Sequence, residues 1–148
     1  MSSPKINPKY TAGLSKNDIK LQKKYLRKSQ REHEKGIYKV RPTPKSYKHK
    51  PSRHVVDFER IYGITTKNTK KISALTGVSV SKQKRILSKG RGAYFTGGSR
   101  PGQTPSSWAY ARLASALLGR GACTVDQHIL LPITCRELRS SARKYTRS

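Results

Sequence analysis

Asp126 stands two residues before His128, and Cys123 and Cys135 stand twelve apart; these are the side chains of the sequence with the most reactive potential. A carboxylate beside an imidazole is part of a nucleophilic triad, yet no recognisable sharp turn places a nucleophile to complete it. The remaining acids of that part of the chain, Asp57, Glu59 and Glu137, are explained more simply by helix caps and ion pairs to nearby arginines. No nearby His or Cys completes a metal-ligand set with the two cysteines, and His33, His49, His54 and His128 are scattered. We therefore expect no metal and no cofactor. The chain has no apolar stretch near the roughly 20 residues a membrane span needs, and its start, Met1-Ser2-Ser3-Pro4, does not resemble a secretory signal. It reads as a soluble protein made inside a cell, where the cysteines are expected as free thiols. An enzyme is not expected.

The chemistry the sequence does offer is anion binding. There are 33 Lys and Arg against 7 Asp and Glu, a net charge of +26 on 148 residues. Such a surplus repels itself and calls for a polyanion or an acidic surface outside the chain. It is graded: residues 1–50 hold 15 basic and 3 acidic residues, 51–100 hold 11 and 2, and 101–148 hold 7 and 2. Tyr10, Tyr25, Tyr38 and Tyr47 are interleaved with the first group and could stack or anchor at an interface.

Two further motifs bear on anions. Residues 70–88, with Ile72, Leu75, Val78, Ile86 and Leu87 placed to pack two helices across Gly77, resemble a helix-turn-helix hairpin. Ser79, Ser81, Lys82, Gln83 and Arg85 would then lie on the exposed face of its second helix; an ordinary structural hairpin has the same pattern. Residues 89–105 carry five glycines with Lys89, Arg91 and Arg100. Their backbone N–H groups could cradle an anion beside the helix start at Pro105, although no Gly-Lys-Ser or Gly-Lys-Thr ends the segment as in a P-loop. The same loop could instead be shaped for packing, with Tyr94 and Phe95 anchored against Trp108.

The elements that must position these residues are helices. Ser15 and Asp18 start a helix over about Lys16–Lys35, stopped by Gly36. Arg41-Pro42-Thr43-Pro44 through Pro51 reads as an extended basic linker unable to fold on itself. Further helices are expected at Val55–Tyr62 before Gly63, at Asn68–Thr76, at Ser79–Ser88, and from Pro105 to Gly119. The capping box of Thr134 and Glu137 starts a last helix to about Tyr145. The only strand-like stretch is Ile129–Leu131. The fold class is mainly α: a small helical domain at 52–132, a C-terminal helix at 133–148, and an extended basic N-terminal arm at 1–51. The core is expected to contain Tyr94, Phe95, Trp108, Leu113 and Leu117.

The pattern Lys-Gly-Arg-Gly-Ala-Tyr-Phe (89–95), Gly-Ser-Arg-Pro-Gly-Gln-Thr-Pro (98–105) and Ser-Trp-Ala-Tyr-Ala-Arg-Leu-Ala-Ser (107–115) resembles a family of small basic proteins of unknown function from large double-stranded DNA viruses, including algal and amoebal giant viruses, and some phages. The resemblance runs from about Ser52 to Asp126 and carries no functional residues across. It implies a virion protein made in the host cytoplasm or nucleus. The leading expectation is a minor capsid or internal cementing component, whose helical domain docks and whose arm threads along acidic surfaces of other virion proteins. The alternative is a protein that binds or condenses double-stranded DNA through the 70–88 hairpin and the arm. In either case the contacts are expected from Lys20, Lys23, Lys24, Arg27, Lys45, Lys48, Lys82, Lys84, Arg85, Arg91 and Arg100.

Overall fold

The computed structural model describes residues 6–147. Eight α-helices carry most of them, after a 3-10 turn at Pro8–Tyr10: α1 (Lys16–Glu34), α2 (Arg53–Tyr62), α3 (Thr69–Thr76), α4 (Val80–Thr96), α5 (Pro105–Leu117), α6 (Gly121–Val125), α7 (Gln127–Leu130) and α8 (Cys135–Arg147). The described residues contain no strand, so the protein is mainly α. The chain divides into two compact units. One, the N-terminal unit, joins the segment ending at Lys50 to Gly92–Pro105; the other, the core unit, joins Pro51–Arg91 to the chain from Ser106 onward.

In the core unit the sequence signals are used as expected at most helix ends. Asn68 Oδ1 accepts from the Lys71 N–H at the start of α3 (3.3 Å), and Thr134 Oγ1 accepts from the Glu137 N–H at the start of α8 (3.1 Å). Helices α2 and α3 end on Gly63 and Gly77, both left-handed. Phe58, Ile72, Val78, Ile86, Leu113 and Leu117 are fully buried together, each contributing about 1.5–3 kcal/mol by leaving water. Trp108, expected in the core, is half-buried instead.

Three expectations are corrected in this unit. Cys123 and Cys135 are not free thiols but a disulfide, with Cα atoms 5.9 Å apart. The thiol expectation rested on compartment alone; the short α7 and the turn after it fold the intervening residues back, so that α6 and the first residue of α8 meet. Ile129–Leu131 is not strand-like. Ile129 and Leu130 lie in α7, and both are buried, whereas a half-buried strand would alternate. Helix α4 does not stop at Ser88 but continues through Gly90 and Gly92 to Thr96. A Cβ added at Gly90 would lie 2.6 Å from the Ala109 Cα of α5, so this glycine permits a close helix crossing that offsets its helix penalty of about 1 kcal/mol.

The N-terminal unit departs further from expectation. Helix α1 forms as predicted, with Ser15 Oγ accepting from the Asp18 N–H (3.3 Å). The segment after it is no free arm. The Arg41 side chain is buried: its Nη1 donates to Ser29 Oγ (3.0 Å) and to the Tyr94 carbonyl (2.6 Å), and its Nη2 to Ser99 Oγ (2.7 Å). Its guanidinium lies 3.7 Å from the Tyr94 ring centroid, and its N–H donates to the Tyr94 hydroxyl (2.7 Å). Pro44 is buried as well, and Ser46 N–H donates to Asp18 Oδ2 (2.9 Å). Prolines exclude helix and central strand here, but side-chain bonds need neither. Tyr94 is fully buried as expected, while Phe95 is partly buried, stacked against His33 and edge-on to Tyr38.

Candidate polyanion interface

Helix periodicity gathers most of the candidate cations onto two faces. On α1, Lys20, Lys23, Lys24 and Arg27 recur at helical spacing and are all exposed, opposite the buried Gln22, Leu26 and Ser29. On α4, Lys84, Arg85 and Arg91 are exposed on one face with Ser81 and Ser88 between them, while Ile86 and Leu87 enter the core. Lys45, Lys48 and Arg100 are exposed too, but they lie on irregular chain of the N-terminal unit rather than on either helix face.

Three residues expected on the exposed face of the hairpin have structural duties. Gln83 is buried, and its Nε2 donates to the carbonyls of Thr69 (3.0 Å) and Val78 (2.9 Å), tying α4 to α3. Lys82 Nζ donates to the Leu131 carbonyl (2.7 Å), so it closes the end of α7. Ser79 Oγ accepts from the Lys82 N–H (3.2 Å) at the start of α4. The hairpin thus forms, with its turn further fastened by Thr76 Oγ1, which donates to the Ile72 carbonyl and accepts from the Val78 N–H. Its second helix offers cations from Lys84 onward rather than at its first turn, where a base-reading helix makes its contacts. What remains suits phosphates.

Few carboxylates are available to neutralise these faces. Asp126 is buried and bound by Arg112 through two bonds of 2.7 and 2.6 Å, and this bonding raises the Arg112 pKa further. Asp57 takes Arg120 at 2.7 Å and has Arg53 and Arg60 nearby; the bond from Arg120 lowers its pKa. Asp18 is lowered by its bonds to Ser46. Glu32 pairs with Lys28 at 3.8 Å. Asp126 and His128 do not form a dyad: His128 Nε2 lies 2.8 Å from Lys89 Nζ. Among the described residues no three His, Cys, Asp or Glu side chains come together as a metal set.

The Gly-rich segment is not one anion-binding loop, because its first half lies in α4. Gly98 packs instead against side chains of its own unit: a Cβ there would lie 3.0 Å from Leu26 Cδ2 and 3.3 Å from Tyr10 Cε2. Sequence reasoning missed the role of Arg41. Its side-chain partners lie 12, 53 and 58 residues away, so no local pattern announces it. Burial lowers its pKa, and the stack on Tyr94 and the hydroxyl and carbonyl acceptors take the place of a counter-ion.

Residues 7–129 match the model of a family of unknown function, DUF5824. The chain belongs to that family. The matched region starts well before Ser52, where the sequence pattern placed the boundary, and so takes in α1 and the Arg41 segment. That extent agrees with the N-terminal unit, in which the chain before Lys50 closes on Gly92–Pro105. No curated protein and no solved structure matches the chain. No helix among the described residues is long and apolar enough to cross a membrane.

Proposed function

We propose that this member of the family is a non-enzymatic protein that binds double-stranded DNA through its phosphates, without reading base sequence. The carrying observation is the face of α4 bearing Lys84, Arg85 and Arg91, presented on a helix that Gln83 and the apolar core hold in place. The α1 face adds a second row of cations. With a net charge of +26, association is driven by counter-ion release. The logarithm of affinity falls linearly with that of salt, by about 0.9 per phosphate neutralised. Changing Lys84, Arg85 and Arg91 together to Glu weakens binding to a random duplex and flattens that slope by about one for each phosphate left without its cation. Duplex affinity that is indifferent to salt would refute the reading.

A second reading is that of a virion structural protein, a minor capsid or cementing component contacting acidic surfaces of its neighbours. Apolar side chains at Ile37, Tyr38 and Val40 favour it, because they are exposed within a basic stretch and are of no use to a phosphate backbone. The viral setting rests on the resemblance of residues 89–115. In this reading the basic N-terminal region is the part that engages neighbours. Purified particles lacking the chain would refute it.

A further inference from the structure

Three of the six large hydrophobic side chains exposed among the described residues fall within four consecutive positions, Ile37 (39%), Tyr38 (64%) and Val40 (56%). Such clustering marks an interaction surface rather than the ordinary scatter of apolar groups. The segment runs from residue 37 to 44 without helix, turn or bend, and Pro42 restricts Arg41 to extended conformations. Both ends are fixed. The Ile37 N–H donates to the Glu32 carbonyl (2.8 Å), and the Arg41 N–H to the Tyr94 hydroxyl (2.7 Å). Extended chain alternates with a period of two. With the backbone groups of Ile37 and Arg41 facing the protein, those of Lys39 face it too, and Tyr38 and Val40 turn their N–H and C=O groups outward. None of Tyr38, Lys39 and Val40 makes a backbone hydrogen bond within the described residues, so it is the alternation between the two fixed ends that sets Lys39 apart.

We infer that residues 37–41 are a preformed edge onto which an extended, acidic segment of another protein adds as a strand. Main-chain bonds to Tyr38 and Val40 supply the attachment, and Tyr38 and Val40, which share a face, receive alternate apolar side chains. Charge selects the occupant: residues 35–50 contain five Lys and one Arg and no acid. A nucleic acid has no backbone N–H for the outward carbonyls and no apolar side chains for the cluster. The inference deepens the second reading by giving the protein partner its chemistry; particles without the chain would end that reading, whereas the experiment below judges the edge by itself.

The full chain is mixed with a synthetic peptide of alternating Val and Glu, and amide exchange is followed residue by residue. Saturation slows exchange at Tyr38 and Val40 by more than about tenfold and leaves Lys39 nearly unchanged. Methylating the peptide's backbone nitrogens abolishes the protection, and Val40→Glu weakens binding while the helical circular dichroism is kept. The methylated peptide leaves the protein unaltered, so it decides the matter even if the variant misfolds. Unchanged exchange at Tyr38 and Val40 overturns the inference. So does equal protection by poly-Glu, which makes the attraction one of charge alone, or protection of the same amides by a DNA duplex.

Discussion

The two units solve the same problem, holding a highly charged chain folded, by different means. In the core unit, buried Phe, Ile, Val and Leu side chains from α2 to α5, α7 and α8 form one apolar cluster, closed by a disulfide. In the N-terminal unit, Leu26 and Tyr94, with Pro44 and Pro101, are the buried apolar side chains among the described residues, and the chain is fastened by Arg41, Ser29, Ser99 and the bond from Gln30 Nε2 to the Thr96 carbonyl. Apolar burial is non-directional and tolerates repacking. A guanidinium among hydroxyls and a carbonyl is directional, and it fails when one partner goes. The core unit should therefore yield gradually to substitution and the N-terminal unit abruptly.

The largest effect should come from the apolar core. Phe58 is fully buried, and Phe58→Ala costs about 3–5 kcal/mol through lost transfer energy and the cavity left behind. Thermal or denaturant unfolding should show it as a loss of global stability. Next comes Arg41→Met, which keeps the apolar stem but leaves Ser29 Oγ, Ser99 Oγ and the Tyr94 carbonyl without their donor, at a cost of about 3 kcal/mol. Its signature is local: amides of α1 exchange faster while those of α3 and α5 keep their protection. Equal acceleration in all three helices would erase the distinction between the units. Lys at position 41 should not rescue, because an ammonium lacks the planar fork that reaches three acceptors and stacks on a ring.

That contrast also explains what the sequence revealed. Apolar spacing, Gly63, Gly77 and the Thr134 and Glu137 box located the core unit's helices, because each is a local signal read within one or two turns. The cation row on α1 and Arg85 on α4 followed from the same periodicity, whereas Arg91 was expected in a Gly-rich loop beyond the helix. Arg41 was hidden, since in sequence it is one more basic residue in a Pro-rich stretch. Lys82 and Gln83 were assigned to a binding face because polarity suggests exposure. A buried amide bonded to two carbonyls looks the same in sequence as a solvated one. The disulfide was hidden because spacing alone does not say whether two Cα atoms come within bridging distance.

Removing that disulfide by changing Cys123 and Cys135 together to Ala should cost about 2–3 kcal/mol, as expected for releasing a loop this short in the unfolded chain. Reduction of the native chain should match the double variant in melting temperature, and the variant should be insensitive to reductant. Smaller effects separate the two helical glycines of α4, one in each unit. Gly90→Ala meets the Ala109 backbone and costs about 1–3 kcal/mol by overpacking. Around Gly92, by contrast, an added Cβ meets nothing within 4 Å, so Gly92→Ala should stabilise by up to about 1 kcal/mol through helix propensity. Opposite signs two residues apart would confirm that the first glycine serves packing and the second does not.

The smallest effect compares one carboxylate from each unit. Asp57 is lowered chiefly by the bond from Arg120 and Asp18 by its bonds to Ser46. A carboxylate lowered on folding adds stability that is fully present above its unfolded pKa of about 4 and is lost as pH falls through the folded value. Both units should therefore weaken below about pH 4. Asp57→Asn should remove part of that acid sensitivity from the core unit, at a cost near neutral pH below about 1 kcal/mol, since Arg120 is partly exposed. Salt tells the causes apart. Screening weakens an ion pair across part-exposed surface more than it weakens a bond from a backbone N–H, so added salt should blunt the pH response of the core unit and leave that at Asp18 nearly intact. Equal blunting would mean that Asp18 is held by surrounding lysines rather than by Ser46.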